Sequence, residues 1–264
     1  MRIILSDYYR SFTSKKIYIL LFFVIIVCVL SLGDYIKYIM KNDDADVIYF
    51  FNLLLDIGIF KNMIILFAAG TCSAFFCDDW NNRYINSMIV RSDNKKYCIS
   101  KFITSGTITF IVSFLGILLF CLFISLFIPL YNDYSYEESL LEPYGFIITK
   151  FNPWLYIIIK IFNFSISCSF WSLLGITVST FKTDKFLALV SPFIGYYLLS
   201  EISECLPGFL KLRLITYSYD IIDKPLIPTL LYTISFWTIL STILLIICNC
   251  SGPLSILRHN SCYL

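Results

Sequence analysis

Charge is what this sequence has least of. Asp, Glu, Lys and Arg make up 14% of the 264 residues, against about 25% in an ordinary soluble domain, while apolar residues reach 58%. A water-soluble core of this size has no place for that apolar surplus. Histidine occurs once, at His259 near the C-terminus, and no pair of carboxylates falls within any apolar run. An intramembrane hydrolase or acyltransferase is therefore left without a positioned base, nucleophile or metal. There is no GxxxxGK[ST] phosphate loop, so the chain cannot cradle ATP itself in the usual way. The ten cysteines fall mostly inside apolar runs and form no disulfide framework. Cys248 and Cys250 have no neighbouring His or carboxylate cluster to complete a metal site. A cleavable signal is also missing: the first apolar run begins at Ile17, is followed by no small-residue cleavage pattern, and is expected to stay as a signal anchor.

What is present is a set of long apolar runs. A helix crossing a bilayer core needs about 20 apolar residues, and six segments qualify: 17–32, 57–76, 102–130, 157–181, 186–200 and 227–248. The expected fold is an all-α integral membrane domain spanning 1–264. Basic residues are retained on the cytoplasmic side of a membrane, and they alternate here between successive loops. Twelve of the twenty lie on one side (Arg2, Arg10, Lys15 and Lys16; Arg83, Arg91, Lys95, Lys96 and Lys101; Lys182 and Lys185; Arg258), seven on the other, and Lys160 at a helix end. This predicts a multi-pass protein of the cell membrane with both termini in the cytoplasm. The richness in Ile, Asn, Lys and Tyr fits an AT-rich genome and a bacterial plasma membrane.

Three segments between the runs carry structure of their own. In residues 1–16, Leu5, Tyr8, Tyr9 and Phe12 recur at helical spacing with Asp7 and Arg10 on other faces, which predicts a helix lying in the inner interface. The fifth run is short and contains Pro192, and the following 201–226 turns at Pro207 and Gly208. That stretch reads as an outer re-entrant hairpin or as an ordinary outer loop. Residues 77–101, CDDWNNRYINSMIVRSDNKKYCISK, are too long for a mere turn. Trp80, Tyr84, Ile85, Met88 and Ile89 recur at helical spacing, with Asp78 and Asp79 at the start and bases towards the end, an order that suits the helix dipole. A short amphipathic helix on the cytoplasmic side, joined to two spans, is a lever that a soluble partner can push.

This loop and its topology resemble the permease subunits of type-2 ABC exporters, the family that includes bacterial permeases for antibiotics and lantibiotics. Asp79 takes the family's acidic position after the second span, Ile85, Met88, Ile89 and Val90 its aliphatic run, Lys95 its basic position, and Lys101 falls near its final Lys. Arg83 stands where Gly is usual and Ser92 where Pro is usual, so a longer or differently bent helix is expected. The resemblance implies a non-catalytic chain that binds no cofactor, pairs with a second permease subunit, alike or homologous, and docks on separate ABC ATPase subunits that hold ATP and Mg. It implies outward movement of a peptide, antibiotic or lipid-like substrate by alternating access. Membrane lipids are its other partners, and no nucleic acid is expected.

Contact with the ATPase is expected at Asp79, Trp80, Arg83, Tyr84, Ile85, Met88, Ile89, Arg91 and Lys95, since aromatic, Met and Arg side chains are favoured interface anchors. The apolar members suit a bilayer surface equally well. Lys160 reads as snorkelling to the outer interface or as a functional charge within a span. Asn163 and Ser167, with Ser165, Ser169 and Ser172 in the same run, line a pathway or pack helices together. A channel, sensor or assembly factor without an ATPase is the alternative reading.

Overall fold

The computed structural model describes residues 2–39, 46–56, 58–85, 94–132, 144–150, 152–207, 210–211 and 226–251. All regular structure among them is helical. In chain order the elements are α1 (Arg2–Phe12), α2 (Lys15–Ile39), α3 (Val47–Asp56), α4 (Gly58–Ser73), α5 (Phe75–Asn81), α6 (Asn94–Ile124), α7 (Phe146–Lys150), α8 (Pro153–Phe181), α9 (Lys185–Glu204) and α10 (Leu226–Ser251).

Five stretches are long and apolar enough to cross a membrane: Lys61–Asn81, Lys95–Ile124, Pro153–Phe181, Lys185–Glu204 and Pro228–Asn249. A sixth appears if α1 and α2 count together, although their axes are bent by 58°. Burying every backbone donor and acceptor inside the helix is what permits such segments in oil. Successive spans alternate in direction, so α1, α5, the start of α6 and the end of α10 share one end of the bundle, the near end. The short helices α3 and α7 sit at the far end.

α8 is the centre of the assembly and packs on α4, α6, α9 and α10. Its start is set locally: Asn152 is extended (φ −149°, ψ 134°), its side chain accepts from the Trp154 N–H at 3.1 Å, and Pro153 occupies the first turn, where a missing N–H costs nothing. Asp184 starts α9 in the same way, accepting from the Phe186 N–H at 2.9 Å. Where α8 meets its neighbours the backbones nearly touch. A Cβ added to Gly175 would lie 2.5 Å from the Ser73 Cβ and 3.0 Å from the Ala188 carbonyl oxygen, the close approach that small residues allow between membrane helices.

Four expectations change. The fifth run does not stop at Ser200: α9 continues to Glu204 and, at 20 residues with Pro192 inside, is long and apolar enough to cross a membrane. That continuation takes up the first residues of the expected hairpin at 201–226, most of which lies outside the described residues. The helix that carries the third span begins at Asn94, eight residues before Phe102, and ends at Ile124, before Leu130. The second span extends beyond Phe76 to Asn81, with a break at Ala74 (φ −87°, ψ 0°). Finally, the segment between the first two expected spans contains a helix. α3 buries Val47, Ile48, Phe50, Phe51, Leu54 and Leu55 at 4% exposure or less, so it belongs to the core and not to solvent.

Candidate functional site

The near end holds a cluster of charge that the helices close off from solvent. Asp7 on α1, Asp79 on α5 and Lys101 on α6 are each about 2% exposed. Lys101 Nζ lies 2.7 Å from Asp7 Oδ1 and 2.8 Å from Asp79 Oδ2, bridging the two carboxylates. The Arg10 guanidinium meets Asp79 Oδ1 at 2.6 Å. Remaining lone pairs are filled by hydroxyls: Tyr97 donates to Asp79 Oδ2 and Ser100 to Asp7 Oδ2, both at 2.8 Å. Two carboxylates thus face two bases, and each acid has at least two donors. Buried charge is tolerated only when paired and fully hydrogen-bonded in this manner.

The local sequence explains how these groups converge. On α6, Tyr97, Ser100 and Lys101 stand at i, i+3 and i+4 and so share one face. On α1, Asp7 and Arg10 are three residues apart on the face turned to α6, where the Tyr8 hydroxyl also meets Thr107. Arg10 is 42% exposed at its side chain and lies over the Tyr84 ring at 4.8 Å. Partial burial lowers the Arg10 pKa, but the adjoining Asp79 outweighs it and the net shift is upward. Beside the cluster, Asp78 bridges Lys16 of α2 at 2.7 Å and Lys185 of α9 at 2.6 Å. These outer pairs are largely solvated.

The loop residues singled out by sequence divide between this site and its rim. Asp79 is in the site, and Tyr84 lies beneath Arg10. Ile85 is buried at 1%, while Trp80 is half-buried and stacks on Phe76 with ring centroids 6.4 Å apart. Arg83 is exposed with φ 54°, in the left-handed region, and Lys95 is exposed at the start of α6. Met88, Ile89 and Arg91 lie outside the described residues. The expected continuous helix from Trp80 through Ile85 is interrupted: α5 ends at Asn81, and Asn82 and Arg83 turn, with the Arg83 N–H donating to the Trp80 carbonyl at 3.0 Å. Asp7, Tyr97 and Ser100 were not foreseen. Asp7 carried one signal, a lone carboxylate in an otherwise neutral or basic helix.

At the far end Lys160 does not reach the protein surface. It is 7% exposed, donates to Asn52 Oδ1 of α3 at 3.0 Å and lies over the Tyr156 ring at 4.9 Å. Tyr156 donates to the same Asn52 oxygen at 2.9 Å. Snorkelling is therefore corrected, because a buried partner on α3 holds the ammonium within the protein. Asn163 faces Thr233 of α10 and the Tyr144 hydroxyl, both at 3.5 Å, and Ser167 is wholly buried. Both sit between packed helices. Among the described residues no group of three or more His, Cys, Asp or Glu side chains could hold a metal ion.

Apolar spans enclosing paired charge define the class: this is a polytopic helical membrane protein. No protein-family model matches the chain, and neither the curated proteins nor the solved structures include a match.

Proposed function

We propose that this chain is the permease subunit of an ATP-driven exporter of the type-2 ABC class, set in a bacterial cell membrane with its near end in the cytoplasm. It works with a second permease subunit and with separate ATPase subunits that carry ATP and Mg. The observation that supports this reading best is the ion-paired root of the loop between the second and third spans. Asp79 and Lys101, which stand at the family's acidic and lysine positions, bracket that loop and bond each other while both bond α1. A soluble partner pressing on the loop therefore moves α5, α6 and the interfacial α1 as one piece. The conformation at Arg83 adds support. That residue occupies the family's glycine position, and its φ of 54° is one that glycine adopts at no cost.

In this scheme ATP binding favours one of two bundle arrangements by its differential affinity, and the loop transmits the preference. Trp80 and Tyr84, half-buried at the loop's start, are the anchors for the partner. The test is co-purification of the tagged chain with an ATP-hydrolysing partner encoded beside it, before and after Trp80→Asp and Tyr84→Asp. Capture of the ATPase by the native chain and its loss in the variants is expected. Equal capture by both, or no ATPase at all, would sink the reading.

A further inference from the structure

α1 exposes large apolar side chains beside the polar Ser6 and Arg10. Its carboxylate and its Ser11 face protein, at 2% and 5% exposure, while Leu5, Tyr9 and Phe12 point outward at 68%, 75% and 41%. The same flank continues along α2 through Tyr18, Ile19 and Phe22. Water would penalise both halves of that arrangement, whereas lipid rewards the outer one. The 58° bend between α1 and α2 lays this face across the end of the bundle, at the depth where headgroups meet acyl chains.

The surrounding charge selects the lipid. Among the described near-end acids, Asp7, Asp78 and Asp79 are each ion-paired and Asp184 caps the start of α9. The bases are in excess, and Lys15, Lys95, Lys96 and Lys182 are exposed. Lys15 opens α2 directly beside the apolar face of α1. Arg10 uses one terminal nitrogen on Asp79 and, being half-exposed, keeps other donors of its five for a ligand.

We propose that this face binds anionic phospholipid, with Leu5, Tyr9 and Phe12 in the acyl region and with Arg10 and Lys15 on the headgroup phosphates. The lipid's charge then reaches buried Asp79 through a single guanidinium. The proposal needs the membrane setting of the chain and nothing of the exporter reading, so either can fail without the other.

The experiment uses the full chain in nanodiscs of phosphatidylcholine, alone or mixed with phosphatidylglycerol. A spin label is placed at Tyr9→Cys, with Asn81→Cys as the solvent control, in a background where Cys205, Cys250 and Cys262 are Ser. The label at 9 is expected to be relaxed by dissolved oxygen and the label at 81 by a water-soluble nickel chelate. Native mass spectrometry is expected to show retention of phosphatidylglycerol over phosphatidylcholine, reduced about fivefold by Lys15→Gln, since one base near an anionic surface contributes about that factor. Nickel relaxation at position 9, or a headgroup preference that is absent from the native chain or unchanged by Lys15→Gln, would overturn the proposal.

Discussion

Two buried lysines, Lys101 at the near end of the bundle and Lys160 at the far end, are held by different means. At the near end, Asp7, Asp79, Arg10 and Lys101 form a balanced set whose bonds run between α1, α5 and α6. At the far end, Lys160 rests on the Asn52 amide oxygen and the Tyr156 ring, joining α8 to α3. The near cluster ties together elements that sequence alone leaves free to separate, and each acid depends on a base from another element. At the far end the acceptor described, Asn52, is neutral and keeps its bond from Tyr156 when the cation is removed. A joint of the first kind is strong but intolerant, and one of the second kind is forgiving.

The sharpest way to break that contrast is Lys101→Met. It leaves Asp7 with Ser100 as its remaining near-end donor and takes one base from Asp79, so a loss of about 3–5 kcal/mol is expected. Thermal unfolding in detergent would measure it, and a loss under 1 kcal/mol would remove the distinction between the ends. Lys160→Met is the matching change at the far end. Asn52 keeps its bond from Tyr156, and the methionine fills similar volume, so about 1–2 kcal/mol is expected on the same assay. Should it equal Lys101→Met, the far end is as brittle as the near one. Lys185→Gln gives the smallest effect, within about 1 kcal/mol, because its pair with Asp78 is half in water. Raising the salt concentration should erase the difference between Lys185→Gln and the native chain while leaving that of Lys101→Met in place.

Hydropathy located the spans because lipid imposes a length on apolar runs, but it is silent on where helices end. Backbone hydrogen bonding continues through Lys95, Lys96 and Tyr97 at one edge and through Glu201 and Glu204 at another, all of them acceptable helix residues. That is why α6 starts eight residues before the expected Phe102, and why α9 outruns Ser200. α3 escaped notice for the opposite reason. Ten residues bounded by Asp46 and Asp56 are too few to span, and the burial that stabilises them comes from neighbours distant in sequence. Asp79 and Lys101 stood out as the edges of a loop. Asp7, which pairs with Lys101, is 94 residues from it, and no local periodicity encodes such a pairing.

The length of α6 sets the height of the charged joint. Its 31 residues rise about 46 Å at 1.5 Å each, roughly 16 Å more than the hydrocarbon thickness of about 30 Å. Its polar first two turns, Asn94 to Lys101, account for about 12 Å of that excess, like the stump of a mast standing clear of the deck. Tyr97, Ser100 and Lys101 therefore grip Asp7 and Asp79 beyond the long apolar stretch of α6, enclosed by protein. Of its four charges Arg10 alone is partly exposed, so the joint meets its surroundings through that guanidinium while its buried members are screened little by salt.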